Sequence, residues 1–124
     1  MKGKAVVFTD RLKVSVQEVD IPDATDDDLV IDVTYSWISN GTESSFLRGE
    51  RISGETMYKE GDPWPFPHVP GYQKVGIVRR IRKNVTGFAV GDTVFASISK
   101  VSGMFFPYGG HISPAVTPFK ELFL

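Results

Sequence analysis

The chain contains no cysteine. Disulfides and thiolate metal sites within it are therefore excluded, and a cytoplasmic location is the expectation. Long apolar runs are also missing, so no membrane-spanning helix is expected. The start, Met1-Lys2-Gly3-Lys4, runs straight into a strand-like segment and has no signal-peptide core. Neither sign of charge dominates: 14 Lys and Arg stand against 15 Asp and Glu, a net charge of -1. Nothing draws the chain as a whole to nucleic acid or to an anionic membrane, and neither is an expected partner. No G-x-G-x-x-G follows a strand, so the phosphate-cradling helix start of a dinucleotide fold is not seen. Repeats and low-complexity tracts are absent.

What remains is an ordinary globular composition, 41% apolar and 23% charged over 124 residues. This suffices for one domain with a core. Ala5-Val6-Val7-Phe8 reads as a short buried run, closed by a turn at Asp10-Arg11. Lys13 to Val19 alternates, with Val14, Val16 and Val19 expected on the apolar side. An acidic loop with Pro22 follows, and Leu29 to Ser36 is a strong β-branched strand. Gly41 to Leu47 predicts one or two helical turns, with Asn40 as the cap. Residues from about Gly49 to Pro67 read as a long loop, of a length that is usually functional or mobile. Strands are expected at Val75–Ile81 and Thr93–Ser97, with a weaker one at His111–Val116 broken by Pro114. Many short strands between turn residues predict a mainly β fold, a closed or nearly closed barrel with little helix.

Two stretches bear most on function. Ile38-Ser39-Asn40-Gly41-Thr42-Glu43 is a small polar cluster after a strand end, where sites are commonly built. Helix capping explains the same residues, with Glu43 meeting the positive end of the dipole. Pro67-His68-Val69-Pro70-Gly71-Tyr72-Gln73-Lys74-Val75-Gly76 leads into a strand. Phe88-Ala89-Val90-Gly91-Asp92-Thr93-Val94 then turns through Gly91-Asp92 into the next. Tyr72 is either a cleft-wall aromatic or a phenol able to donate to a substrate oxygen. Arg79, Arg80, Arg82 and Lys83 read as a solvated face, since no aromatic stacking pattern interleaves them. His68 and His111, far apart in sequence, read as structural. Trp37, Trp64, Phe66, Phe105, Phe106 and Tyr108 would wall a pocket or fill the core; both readings stay open.

These motifs resemble the substrate-side domain of the medium-chain dehydrogenases and reductases, the zinc alcohol dehydrogenase superfamily. The similarity runs from about Lys4 to Pro118. It implies a GroES-like, partly open β-barrel with one or two short helices, filling residues 1–124. A Rossmann domain in cis, absent from this chain, would carry NAD or NADP. Asn40-Gly41-Thr42-Glu43 resembles the family's Cys-Gly-Thr-Asp. Asn40 then stands where a zinc-binding cysteine is usual, Thr42 at the hydroxyl that relays the substrate proton, and Glu43 at the neighbouring acid. Ser45 falls where many members have a histidine. Gly71-Tyr72-Gln73 resembles Gly-His-Glu, with Tyr72 in place of a ligand histidine. Two amides and a neutral phenol do not replace thiolate and imidazole, so no zinc is expected. Paired in this way, the motifs are most similar to zinc-free members, bacteriochlorophyll-pathway dehydrogenases among them.

The resemblance thus implies a zinc-independent NAD(P)-dependent oxidoreductase of carbonyl/alcohol or activated-alkene substrates. Thr42, Tyr72 and Asn40 would be its catalytic residues. Trp37, Ser45, Trp64 and Phe66 would touch substrate, and Gly41 with Thr42 would meet the cofactor. The chain alone is expected to be inactive. The alternatives are a small barrel that binds a partner without chemistry and, more remotely, an RNA-binding barrel using Arg79 to Lys83.

Overall fold

The computed structural model describes residues 1–48 and 66–123. The segment expected as a long loop lies outside them from 49 to 65, and Trp64 with it. The chain runs β1 (Lys2–Asp10), β2 (Lys13–Asp20), β3 (Asp28–Ser36) and α1 (Asn40–Leu47). It continues through β4 (Lys74–Ile81), β5 (Thr93–Ala96), β6 (Ser99–Lys100) and β7 (Tyr108–Gly109). It ends in β8 (Ile112–Ser113), β9 (Ala115–Pro118) and a 3₁₀ turn at Phe119–Glu121. The fold is mainly β and partly open. A three-stranded sheet has the order β2-β1-β8, a four-stranded one β5-β4-β3-β9, and β6 pairs with β7.

Pro114 explains why the sheets do not merge into the nearly closed barrel expected. Ile112 and Ser113 pair with β1, whereas Ala115 to Pro118 pair with β3. A residue without an N–H interrupts the ladder, and the strand leaves one sheet for the other at that point. Two apolar clusters result. Val30 and Val116 join Ala5, Val7, Val19, Ile21, Val69, Val101 and Ile112. Leu29, Ile31 and Ala115 join Val78, Val94, Ala96 and Leu122. Successive residues of a strand face opposite ways, so β9 and the first half of β3, Asp28 to Ile31, are buried on both faces. That accounts for the unbroken run Leu29-Val30-Ile31, each side chain contributing about 1.5–3 kcal/mol.

The same alternation corrects the reading of β2. Val19 is buried, but Val14 and Val16 lie on the other face and are 51% and 71% exposed. Position 19 differs in parity from 14 and 16, so the three cannot share a side. The cap of α1 also moves by one residue. Ser39 is the N-cap, with no cap bond from its side chain, and Asn40 is already helical. Glu43 does that work instead, its carboxylate accepting from the Ser39 N–H. In the basic run, Arg79 holds Asp32 on the neighbouring strand through two hydrogen bonds, Nε to Oδ2 at 3.1 Å and Nη2 to Oδ1 at 2.5 Å. The turn before β5 is closed by the Asp92 carboxylate, which accepts from the Ala89 N–H at 2.8 Å.

Candidate active site

Three segments meet at one end of the fold: the start of α1, the stretch Pro70-Gly71-Tyr72, and Gly109-Gly110-His111. The Gly110 and His111 N–H groups both donate to the Pro70 carbonyl, at 3.1 and 2.9 Å. Gly71 is in the left-handed region (φ 95°), and a Cβ there would stand 2.5 Å from the His111 ring. Glycine at 71 is therefore required twice, by conformation and by the imidazole beneath it. From the far side, Lys74 sends its Nζ to the Gly110 carbonyl at 3.1 Å.

Over this junction lies a cavity of about 240 Å³. Thr42 and Glu43 of α1, Tyr72, and an aromatic wall that includes Phe46, Phe106 and Tyr108 line it. Thr42 is exposed and Tyr72 is 38% exposed. A second, mostly apolar cavity of about 340 Å³ lies beside it, walled by Val6, Phe8, Val14, Ile38 and Leu47. The out-facing valine of β2 thus lines a cavity rather than the core. Glu43 and Pro70 belong to both walls.

Thr42 and Tyr72 are therefore brought to one cavity. Asn40, exposed at the first turn of α1, is not part of its wall. Ser45 lies with Gly41, Thr42 and Phe46 on a separate cavity of about 240 Å³ on the same helix. Trp37 is half-exposed, its backbone N–H donating to the Gln73 carbonyl at 3.0 Å, and it is in neither main wall. Phe66 is buried and stacks on His68, with ring centroids 5.6 Å apart. Phe8, Phe46 and Phe106 meet the same imidazole edge-on, so His68 is the hub of an aromatic cluster.

Two groups have roles that sequence reasoning did not foresee. His111 is buried and uses both ring nitrogens. Nε2 meets Glu43 Oε1 at 2.5 Å, and Nδ1 meets Ser36 Oγ at 2.8 Å. Lys74 is fully buried, and loss of hydration lowers its ammonium from the ordinary value of 10.5 to about 7. His111 follows two glycines, and Lys74 opens β4, a strand that also carries Arg79 and Arg80; neither context marks the residue as buried.

Residues 25–116 match the family described as the alcohol dehydrogenase GroES-like domain. The chain belongs to this family. Within it, the domain is 32% identical over 98 residues to the 2-desacetyl-2-hydroxyethyl bacteriochlorophyllide A dehydrogenase of Cereibacter sphaeroides. That match covers 77% of this chain and 27% of the relative. The enzyme of the same name from Rhodobacter capsulatus is 36% identical over 98 residues, covering 77% and 28%. This GroES-like domain thus spans little more than a quarter of the length of the curated relatives it matches. Its fold is also that of CAD from Helicobacter pylori, solved with NADP(H). The TM-score is 0.74 at 16% identity, over 98% of this chain and 41% of that one.

Proposed function

We propose that this domain is the substrate-side half of a zinc-independent NAD(P)-dependent oxidoreductase acting on a carbonyl/alcohol pair or an activated alkene. The observation that carries the reading is the shared cavity of Thr42 and Tyr72, apolar-walled and floored by Gly71. Thr42 hydrogen-bonds the substrate oxygen or the nicotinamide ribose and passes a proton. Tyr72 donates its phenol hydrogen to the oxygen on which charge develops. Asn40 can add a neutral donor only from the rim, since it stands outside the wall. Ser45, Trp37 and Phe66 shape the surroundings.

The residues at the family's zinc positions do not fit the metal. Zinc takes thiolate, imidazole or carboxylate ligands. Asn40, Tyr72 and Gln73 offer two amides and a phenol. Among the described residues no three His, Cys, Asp or Glu side chains are grouped to hold an ion. Elemental analysis of the purified protein is expected to find zinc far below one per chain. Stoichiometric zinc lost on Tyr72→Phe would overturn the assignment.

The nicotinamide end of the cofactor fits at Gly41, where a Cβ would meet nothing within 4 Å. When bound, it supplies the hydride. The rest of the dinucleotide belongs to a Rossmann domain in cis, and this chain alone is inactive. Thr42 is exposed, so Thr42→Ala spares the fold while removing the proton handle. In the intact protein it should lower kcat roughly 100-fold, and Tyr72→Phe less. The assay is NAD(P)H oxidation with a panel of aldehydes, ketones and quinones. Unchanged turnover in Thr42→Ala would remove the role given to Thr42, and no turnover of any of these compounds by the intact parent would favour the second reading, a binding module without chemistry.

A further inference from the structure

We propose that Glu43, His111 and Ser36 form a proton relay joining the Thr42–Tyr72 cavity to water at the exposed Ser36. The inference rests on the oxidoreductase reading and adds a route that none of the residues so far assigned provides. Ser45, on the helix surface, has no part in it. The geometry is a continuous hydrogen-bonded line. Glu43 faces the same cavity as Thr42, and its Oε1 meets His111 Nε2 at 2.5 Å. His111 Nδ1 meets Ser36 Oγ at 2.8 Å. Ser36 is exposed and lies, with His111, on the walls of the two cavities beyond. The two middle members are buried, at 5% and 8% exposure. The line therefore begins at the proposed chemistry, crosses the interior through Glu43 and His111, and ends at solvent.

The parts are held as a relay requires. The Ser39 N–H fixes the other carboxylate oxygen of Glu43. The His111 ring lies against Gly71, where no larger residue would leave it room. A bulge between Val33 and Tyr35 adjusts the strand just ahead of Ser36. Only imidazole has two nitrogens that can take a proton on one side and release one on the other.

In carbonyl reduction the hydride brings the electron pair, and the substrate oxygen needs one proton. Thr42 supplies it and is reprotonated through cavity water by Glu43, which draws that proton from His111 Nε2 as Nδ1 takes one from Ser36 and Ser36 one from solvent. One proton enters at Ser36 for each one delivered, no electrons move along the line, and a tautomer exchange restores the ring. Alcohol oxidation runs the steps backward.

The test uses Ser36→Val, which removes the hydroxyl and shields Nδ1 at an exposed strand position that favours valine. Ser36→Thr keeps the hydroxyl. Nitrogen-15 NMR of the histidine ring is expected to show Nε2 protonated and Nδ1 accepting. Exchange of the ring N–H with water should slow roughly tenfold in Ser36→Val and recover in Ser36→Thr. Exchange that is the same in all three proteins would overturn the relay, without reference to any substrate. In turnover of benzaldehyde and NADPH by the intact protein, Ser36→Val should lower kcat roughly tenfold at unchanged KM and enlarge the solvent isotope effect. His111→Gln should behave alike, with partial rescue by added imidazole. If Thr42→Ala loses activity while these variants keep theirs, the relay fails and the oxidoreductase reading stands. If the intact parent itself shows no NADPH-dependent turnover, the oxidoreductase reading fails, while ring N–H exchange still tests the relay.

Discussion

Gly110→Ala is expected to destabilise the domain by about 3 kcal/mol or more, seen as a large drop in the urea midpoint. The added Cβ would stand 2.1 Å from the Gly71 carbonyl carbon, 2.3 Å from its oxygen and 2.6 Å from the Tyr72 nitrogen. All three are backbone atoms, so no side chain can rotate away. Nor can the two segments separate cheaply. The Pro70 carbonyl accepts from both Gly110 and His111, and the Gly110 carbonyl accepts from Lys74. Relief of the clash would break these bonds inside the protein, at about 1–3 kcal/mol for each group left unpaired. Gly41→Ala is the control. Nothing lies within 4 Å of its Cβ, and in a helix the change should be neutral or stabilise by up to about 1 kcal/mol. Equal midpoints for Gly110→Ala and the parent would refute the packing described.

The second large effect is expected at Lys74. In the unfolded chain its amine titrates near 10.5, whereas in the folded protein burial brings it to about 7. Between these values the unfolded state holds a proton that the folded state lacks. Stability contributed by this group therefore rises with pH from about 7 toward 10.5, by up to about 1.4 kcal/mol per pH unit. Below about 7 both states are protonated, and the penalty is complete and flat. Lys74→Met removes the buried amine at the cost of the Gly110 carbonyl's donor, about 1–3 kcal/mol. It should raise stability at pH 7 by a few kcal/mol and flatten the pH dependence above it. Denaturation curves at pH 6, 7, 8 and 9 for both proteins decide the matter. A parallel pair of pH profiles would show that Lys74 is not desolvated as described.

Much of the fold could be read from local pattern, and the exceptions have a common cause. The β-branched run from Leu29 to Ser36 announced a strand, and the turn at Gly91-Asp92 stands where its residues require. The weak stretch His111 to Val116 is broken at Pro114, as its sequence requires. That the break passes the strand between two sheets depends on partners about 80 to 110 residues earlier. Val14 and Val16 misled because apolar residues can wall a cavity as well as fill a core. Asn40 and Ser39 are both good capping residues, and only the backbone angle at Ser39 separates them. At the site, Thr42, Glu43 and Tyr72 carried signals in adjacent residues. His111 and Lys74 did not, because their surroundings come from residues 75 and 36 positions away. A buried polar group is defined by what covers it, and short motifs contain no record of that.

The proline between β8 and β9 has a consequence for how the molecule comes apart. Six residues serve as the margin of both sheets, and the imidazole between the cavities sits at their leading end. Neither sheet can shed this shared border alone, so loosening either one also disturbs the ring and its carboxylate. Wear anywhere along that seam should reach the chemistry before it reaches the rest of the core.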